Sequence, residues 1–230
     1  MWWAVPTLRR GNMHDPSNVM QKVRRSLKRE HTSATAPTPP VISEPIARLV
    51  STDIGLPELF ADRAAELKML VEPVRIDDLA EQLVKFLQGI GSKTVMLTDT
   101  PLIRSLGIEA LLSANGMTAK FWSQISLDES YDFDAGVTEV DYAVAESGTL
   151  VIRHRPEHGR AISLVPFVHV AIVQPKNFVA DLIDLMEKLD KDGTGSGVTM
   201  ISGPSKTADI ELNVVTGVHG PNVVQTIVVT

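Results

Sequence analysis

The sequence predicts an α/β protein, a three-layer sandwich built on a mixed, largely parallel sheet. Three observations predict it. Short runs at 94–98, 118–122, 162–173 and 223–229 are almost wholly apolar, the signature of strands covered on both faces. Segments between them repeat their apolar residues at helical spacing, so strands and amphipathic helices alternate. Two further runs, 139–144 and 149–154, meet around Ser147-Gly148 and read as an antiparallel pair within the sheet.

Taken in order, residues 17–30 fit a helix whose Val19, Val23 and Leu27 form one narrow apolar stripe. Residues 32–40 (TSATAPTPP) form a Pro/Ala/Thr linker that cannot bury surface. Residues 56–71 read as helical through Leu59, Phe60, Ala64, Leu67 and Leu70. A helix opening at Ile76-Asp77-Asp78-Leu79 is ended by Gly89. Residues 101–114 are helical with a break expected at Gly107, and Asn115-Gly116 stops them. The run 162–173 is interrupted at Pro166, so two strands or one bent strand are expected there. Phe178, Val179, Leu182, Ile183, Leu185, Met186 and Leu189 keep a 3.6-residue period across 175–189. A Gly-rich loop, 192–197, a strand, 198–201, and the closing strand, 223–229, complete the chain. The expected organisation is a basic extension and linker over 1–40, a helical lead-in over 41–73 and an α/β domain over 74–230.

Composition narrows the chemistry. The 230 residues include no cysteine, which excludes disulfides, thiolate catalysis and any metal or iron–sulfur centre held by the chain's own thiolates. No apolar run approaches the ~20 residues of a membrane span, and residues 1–3 lack a signal-peptide pattern, so a cytoplasmic location is expected. The net charge of −6 is uneven: residues 1–31 hold seven Lys/Arg against two Asp/Glu, leaving −11 on the remainder. An acidic body argues against nucleic acid as a partner.

Chemistry-bearing residues concentrate near the C-terminus. An apolar run delivers the chain into Ser202-Gly203-Pro204-Ser205-Lys206-Thr207, and a short helix is expected from Ser205 with Asp209 and Glu211 in its first turns. A Gly turn feeding a helix start suits a phosphate or carboxylate, with backbone N–H groups from Gly203 and the turn, hydroxyls from Ser205 and Thr207, and a counter-charge from Lys206. The same residues equally suit an N-capped turn that satisfies its own amides. Glu146 precedes Ser147-Gly148, where a glycine lets backbone approach closely, and is a candidate nucleophile or base. His219, between Gly217 and Gly220, is a candidate acid/base or carboxylate donor. His169 reads as a core histidine, and His154 and His158 as solvated residues of an Arg-rich hairpin tip. Among Asp141, Asp209 and Glu211, at least one is expected to pair with Lys206 or Arg153. No spacing supports a metal site.

Three groups of residues, Asp141-Tyr-Ala-Val-Ala-Glu146-Ser-Gly148-Thr-Leu150, Ser163-Leu-Val-Pro166-Phe-Val-His169, and Ser202 to Glu211 with Gly217-Val-His-Gly-Pro221, resemble the LUD-domain family in the same order. The lactate utilization protein C group is the part of the family most resembled. The resemblance implies a fold like the sugar-phosphate isomerase and CoA-transferase superfamily. It implies a role in bacterial oxidation of L-lactate to pyruvate, beside cysteine-rich and iron–sulfur partner proteins. No intrinsic cofactor is then expected, the clusters residing on the partners, and a homo-oligomer remains open. By fold-level analogy, Glu146 compares with the glutamate on which CoA-transferases form an acyl intermediate. A self-sufficient transferase or isomerase acting on an acyl-CoA or sugar phosphate is the alternative.

Overall fold

Apolar side chains alternate along each buried strand, and that alternation decides which layer each face meets. The computed structural model describes residues 16–28, 54–208, 214–216 and 219–230. The chain divides into two units, residues 1–43 and 44–230. In the first, helix α1 (Pro16–Ser26) carries Val19, Val23 and, just beyond its end, Leu27, all solvent-exposed. The linker 32–40 lies outside the described residues.

The second unit begins its described part with helix α2 (Leu56–Glu66). The helix expected to run to residue 71 stops earlier. Lys68 takes a left-handed φ of 70°, and the chain turns into strand β1 (Leu70–Val74). A 3-10 turn (Ile76–Asp78) leads into α3 (Leu79–Gly89), then β2 (Thr94–Leu97). Helices α4 (Pro101–Ser105) and α5 (Ile108–Ala114) are separated at Gly107 as expected, and β3 (Thr118–Phe121) follows. The run 139–144 divides between two sheets as β4 (Ala135–Glu139) and β5 (Tyr142–Val144), and β6 is Thr149–Arg153. Pro166 separates a short helix, α6 (Ala161–Leu164), from β7 (Val168–Val173), so the first half of that apolar run is helical rather than extended. The helix expected from residue 175 starts later. A 3-10 turn (Pro175–Asn177) and β8 (Phe178–Val179) precede α7 (Leu182–Asp192), whose first amides, of Ile183 and Asp184, donate to Asp181 Oδ1 at 2.9 Å. Strands β9 (Val198–Ile201), β10 (Lys206–Ala208), β11 (Val214–Thr216) and β12 (Val223–Val229) finish the fold.

Six strands form one parallel sheet in the order β1-β12-β7-β4-β2-β3. The β5–β6 pair expected within that sheet lies instead in a separate one, β8-β5-β6-β9, whose β5–β6 and β6–β9 pairs are antiparallel and whose β8–β5 pair is parallel. On one face of the parallel sheet, Val95, Leu97, Val137, Val170, Ile172 and Ile227 pack against α3, α4 and α5. Ala171, Val173 and Val224 on the other face meet the small sheet and α2 through Ala143, Ala145, Ile152 and Phe60. Helix α7 covers the far side of the small sheet with Leu185 and Leu189. The sheet is thus covered on both faces as the apolar runs predict.

The close approach of α6 to β4 depends on Gly136, where a Cβ would stand 1.8 Å from the carbonyl oxygen of Ile162. Gly136→Ala is expected to destabilise the fold by roughly 1–3 kcal/mol, as overpacking does. The check is a lowered denaturant midpoint at unchanged slope.

Candidate functional site

Where β6 runs out of the small sheet, its residues continue to alternate. Arg153 and Arg155 point to one side and His154 to the other. Asp141, at the step from β4 to β5, gathers both arginines. Its Oδ2 accepts from the Arg153 amide at 2.8 Å, and its Oδ1 accepts from Arg153 Nε at 3.0 Å and Arg155 Nη1 at 2.7 Å. The Asp141 side chain is 7% exposed, so these bonds stand in place of water. The expected partnership of an acidic residue with Arg153 is therefore present, on Asp141. Arg153 Nη1 also donates to the carbonyls of Asp192 and Gly193 at 2.8 and 3.1 Å, tying the end of α7 to the small sheet. Tyr142 donates to Asp192, and burial followed by that bond pushes its hydroxyl pKa up to about 12. The same bond holds the Asp192 carboxyl below its usual range.

These residues wall a cavity of about 460 Å³, completed by Thr100, Glu139, Glu157, Lys176, Asn177 and Lys188. It opens beyond the C-terminal ends of β2 and β4, the side of a parallel sheet where ligands ordinarily bind. The Asp99 amide donates to the Glu157 carbonyl at 3.0 Å, fastening the 155–158 turn to the end of β2. The sequence reading missed Arg155, Lys176 and Lys188. The two-residue alternation of arginines leaving a strand was a usable signal for Arg155. Lys176 and Lys188 carried none, since each looks like an ordinary surface lysine until the helix and turn are placed.

Behind this wall lie three histidines. His154, His158 and His169 are 3%, 0% and 0% exposed, which corrects the expectation that His154 and His158 are solvated. The chain folds this hairpin tip inward instead of presenting it to water, the Glu157 carbonyl taking the Asp99 amide and the His154 amide donating to the Gly197 carbonyl. His169 Nε2 lies 2.8 Å from Thr138 Oγ1, and His154 Nε2 lies 2.6 Å from Thr199 Oγ1. The rings of His154 and His158 meet edge to face, with centroids 6.4 Å apart. Burial lowers all three: His158 to about 4, with Arg155 and His154 adding repulsion and Asp141 opposing it, and His169 to about 3, with His158 adding repulsion. Among the described residues, no group of three or more His, Asp or Glu has the geometry to hold a metal ion.

The residues singled out at the C-terminus take a different form from the one expected. Lys206, Thr207 and Ala208 are strand β10, paired antiparallel with β11, so no helix starts at Ser205. Val214–Thr216 supplies a partner edge, and pairing with it displaces the local helix preference of the preceding turn. Asp209, Glu211 and Gly217 lie outside the described residues, and Thr207 is described for its backbone alone. Ser202 Oγ lies 2.8 Å from Thr149 Oγ1, which also meets Ser147 Oγ at 2.8 Å. Gly203 has φ 107°, and a Cβ there would stand 2.6 Å from the Leu67 carbonyl. Gly148 has φ 60°, and its Cβ would meet the Ala64 amide at 2.5 Å. Gly148, Ser202 and Gly203 thus come together as a clasp on the end of α2. Glu146 is half-buried in the β5–β6 turn, its amide donating to the Ala180 carbonyl at 2.9 Å. The Ser205 amide donates to Pro221 at 2.8 Å, which brings Ser205 beside Gly220, while Lys206 and His219 are exposed.

Two outcomes are expected. A histidine held neutral in the fold but titrating near 6.5 when unfolded contributes stability that is complete above pH 6.5 and is lost as pH falls toward the folded value. Stability should therefore decline below pH 6.5 toward pH 4, by about 1.4 kcal/mol per pH unit for each such histidine. His158→Gln should remove one histidine's share of that slope in denaturant titrations. Asp141→Asn leaves two arginines without their buried partner and should cost about 3 kcal/mol in the same assay.

Comparison with known proteins gives this architecture its relatives. The LUD domain family matches residues 14–229. A lactate utilization protein C of Geobacillus kaustophilus is 34% identical over 166 residues, covering 66% of this chain and 69% of its own. One from Bacillus licheniformis is 29% identical over 92% of this chain and 94% of its own. The crystal structure of a DUF162 family protein from Deinococcus radiodurans shares the fold, with TM-score 0.56 and 24% identity over 76% of this chain and 96% of that one. No described helix is long and apolar enough to cross a membrane. This chain belongs to the LUD domain family.

Proposed function

We propose that this chain is a component of a bacterial L-lactate utilization system. In it, the chain binds a small carboxylate or phosphate while iron–sulfur and cysteine-rich partner proteins carry the electrons from lactate to pyruvate. Relatives named lactate utilization protein C support the pathway. The absence of cysteine supports the division of labour, since the chain has no thiolate to hold a cluster.

The observation that carries the ligand reading is the cavity beside Asp141. Arg153 and Arg155 are held by Asp141 in fixed positions, so their remaining N–H groups are oriented before any ligand arrives. Lys176 and Lys188 line the same cavity, whose wall also carries Glu139, Glu157 and Asp192; among the described residues neither lysine makes a salt bridge, and Lys188 helps to hold the Asp192 carboxyl below its usual range. Fixed guanidinium groups and the two lysine ammonium groups suit a carboxylate or phosphate, which recovers in charge-assisted hydrogen bonds what it loses in hydration. The Ser202–Ser205 turn offers less. The Ser202 hydroxyl has its partner in Thr149, and Gly203 is pressed on Leu67.

L-lactate or phosphate at 100 times Kd should stabilise the full chain by roughly 2.7 kcal/mol. The double substitution Lys176→Ala and Lys188→Ala should abolish that thermal shift with little change in the unliganded Tm, because both side chains are exposed. Lys206→Ala should leave the shift intact. Loss of the shift in Lys206→Ala alone would return the site to the C-terminal turn. An isolated chain that oxidises lactate with its own bound flavin would overturn the pathway role.

A further inference from the structure

We infer that Glu139 determines which small anion this cavity takes: one that carries a hydrogen-bond donor beside its carboxylate, as a 2-hydroxy or 2-amino acid does, and not a plain carboxylate. The inference rests on the ligand reading above and deepens it by assigning the group that tells one small carboxylate from another.

Charges of both signs meet in the cavity wall, and most are already matched. Arg153 and Arg155 share Asp141, and Arg155 also meets Glu157 at 3.2 Å. Asp192 accepts from Tyr142 and feels the charges of Arg153, Lys188 and Lys191. Glu139 is the carboxylate left over: it lines the cavity and, among the described residues, makes no salt bridge. Lys176 is its counterpart among the cations.

Glu139 is also held in place. It is the last residue of β4 and half-buried, and Gln174 Nε2 donates to its Oε1 at 2.6 Å. Among the described residues nothing donates to Oε2, so one oxygen is oriented and unspent. The sheet order β7-β4-β2 explains what stands around it. Lys176 follows β7, Glu139 ends β4 and Thr100 follows β2, so neighbouring parallel strands deliver all three to one end of the sheet. Thr100 is 5% exposed, and its hydroxyl has no hydrogen-bond partner within the protein.

An ionised carboxylate accepts hydrogen bonds and donates none. A ligand that brings only a carboxylate meets like charge at Glu139, which opposes its binding to the lysines. A ligand that presents a hydroxyl or ammonium group to Oε2 replaces that repulsion with a charge-assisted hydrogen bond. In a 2-substituted acid the anion and the donor sit on adjacent carbons, so one small molecule supplies both. Sites built to bond a ligand's donor reject the analogue that lacks it, because their own polar group is then left unpaired.

Isothermal titration of the full chain with L-lactate, L-alanine and propionate tests this. L-lactate or L-alanine should bind about tenfold more tightly than propionate, and which of them does so tells a hydroxyl from an ammonium donor. Glu139→Gln keeps an oxygen for Gln174 and removes the charge. It should weaken the preferred ligand about tenfold and tighten propionate, whereas a merely structural Glu139 would move both in the same direction. The comparison of ligands on the unaltered chain stands whether or not the variant folds. Propionate binding as tightly as the other two would overturn the inference and leave the small-carboxylate reading intact. So would a folded variant that weakens every ligand alike. If none of the three binds, the inference falls, and if inorganic phosphate fails as well, the ligand reading falls with it.

Discussion

One buried carboxylate does most to hold this molecule in its shape. Asp141 sits where the chain leaves the parallel sheet and enters the small one, and it takes hydrogen bonds from Arg153 and Arg155 on the neighbouring strand and its extension. Arg153 then reaches the last carbonyls of α7, so sheet, hairpin and outer helix meet through a single anion. An ion group this buried contributes less to net stability than its distances suggest, because each charge has lost its water. Its effect is on geometry: with the carboxylate in place, two guanidinium groups have one arrangement available to them, and the cavity wall is set before a ligand enters.

The layered architecture was legible because it rests on period and apolarity. The alternation of Val168, Val170 and Ile172 with His169, Ala171 and Val173 separates the two faces of the central strand, and the structure assigns each set to its own layer. What sequence alone misjudged were segments whose local preference is overruled by a distant partner. Lys206–Ala208 follows a turn that reads as a helix start, yet β11 offers it an edge. Residues 139–144 read as one strand, although two strands on different sheets share that stretch. Hairpin-tip histidines look solvated until the tip is folded inward, which only tertiary packing decides.

The candidate site was partly legible for the same reason. That one of Asp141, Asp209 and Glu211 would pair with Lys206 or Arg153 was readable, since a buried carboxylate needs a cation; which one was not, and the structure places the pair at Asp141 and Arg153. Glu146, Gly148 and Ser202 drew notice as polar residues at glycine turns, and Gly148 and Gly203 prove to be where backbone presses on backbone at the end of α2. Lys176 and Lys188 could not be found this way. Their importance comes from α7 and the turn before β8 converging from different parts of the chain, and no periodicity records that.

Among the described strands β1 ends the parallel sheet, and its fourth residue is Pro73. The Val74 carbonyl accepts from the Thr230 amide at 2.9 Å, so Val74 faces β12 and, by alternation, Pro73 faces the open side. A missing amide there denies an incoming strand one of the donors it would need. Growth of the sheet by edge-to-edge addition is discouraged at this border. At this border, then, a newcomer strand meets a gap in the row of donors, and side-by-side aggregation through β1 is opposed by a single residue.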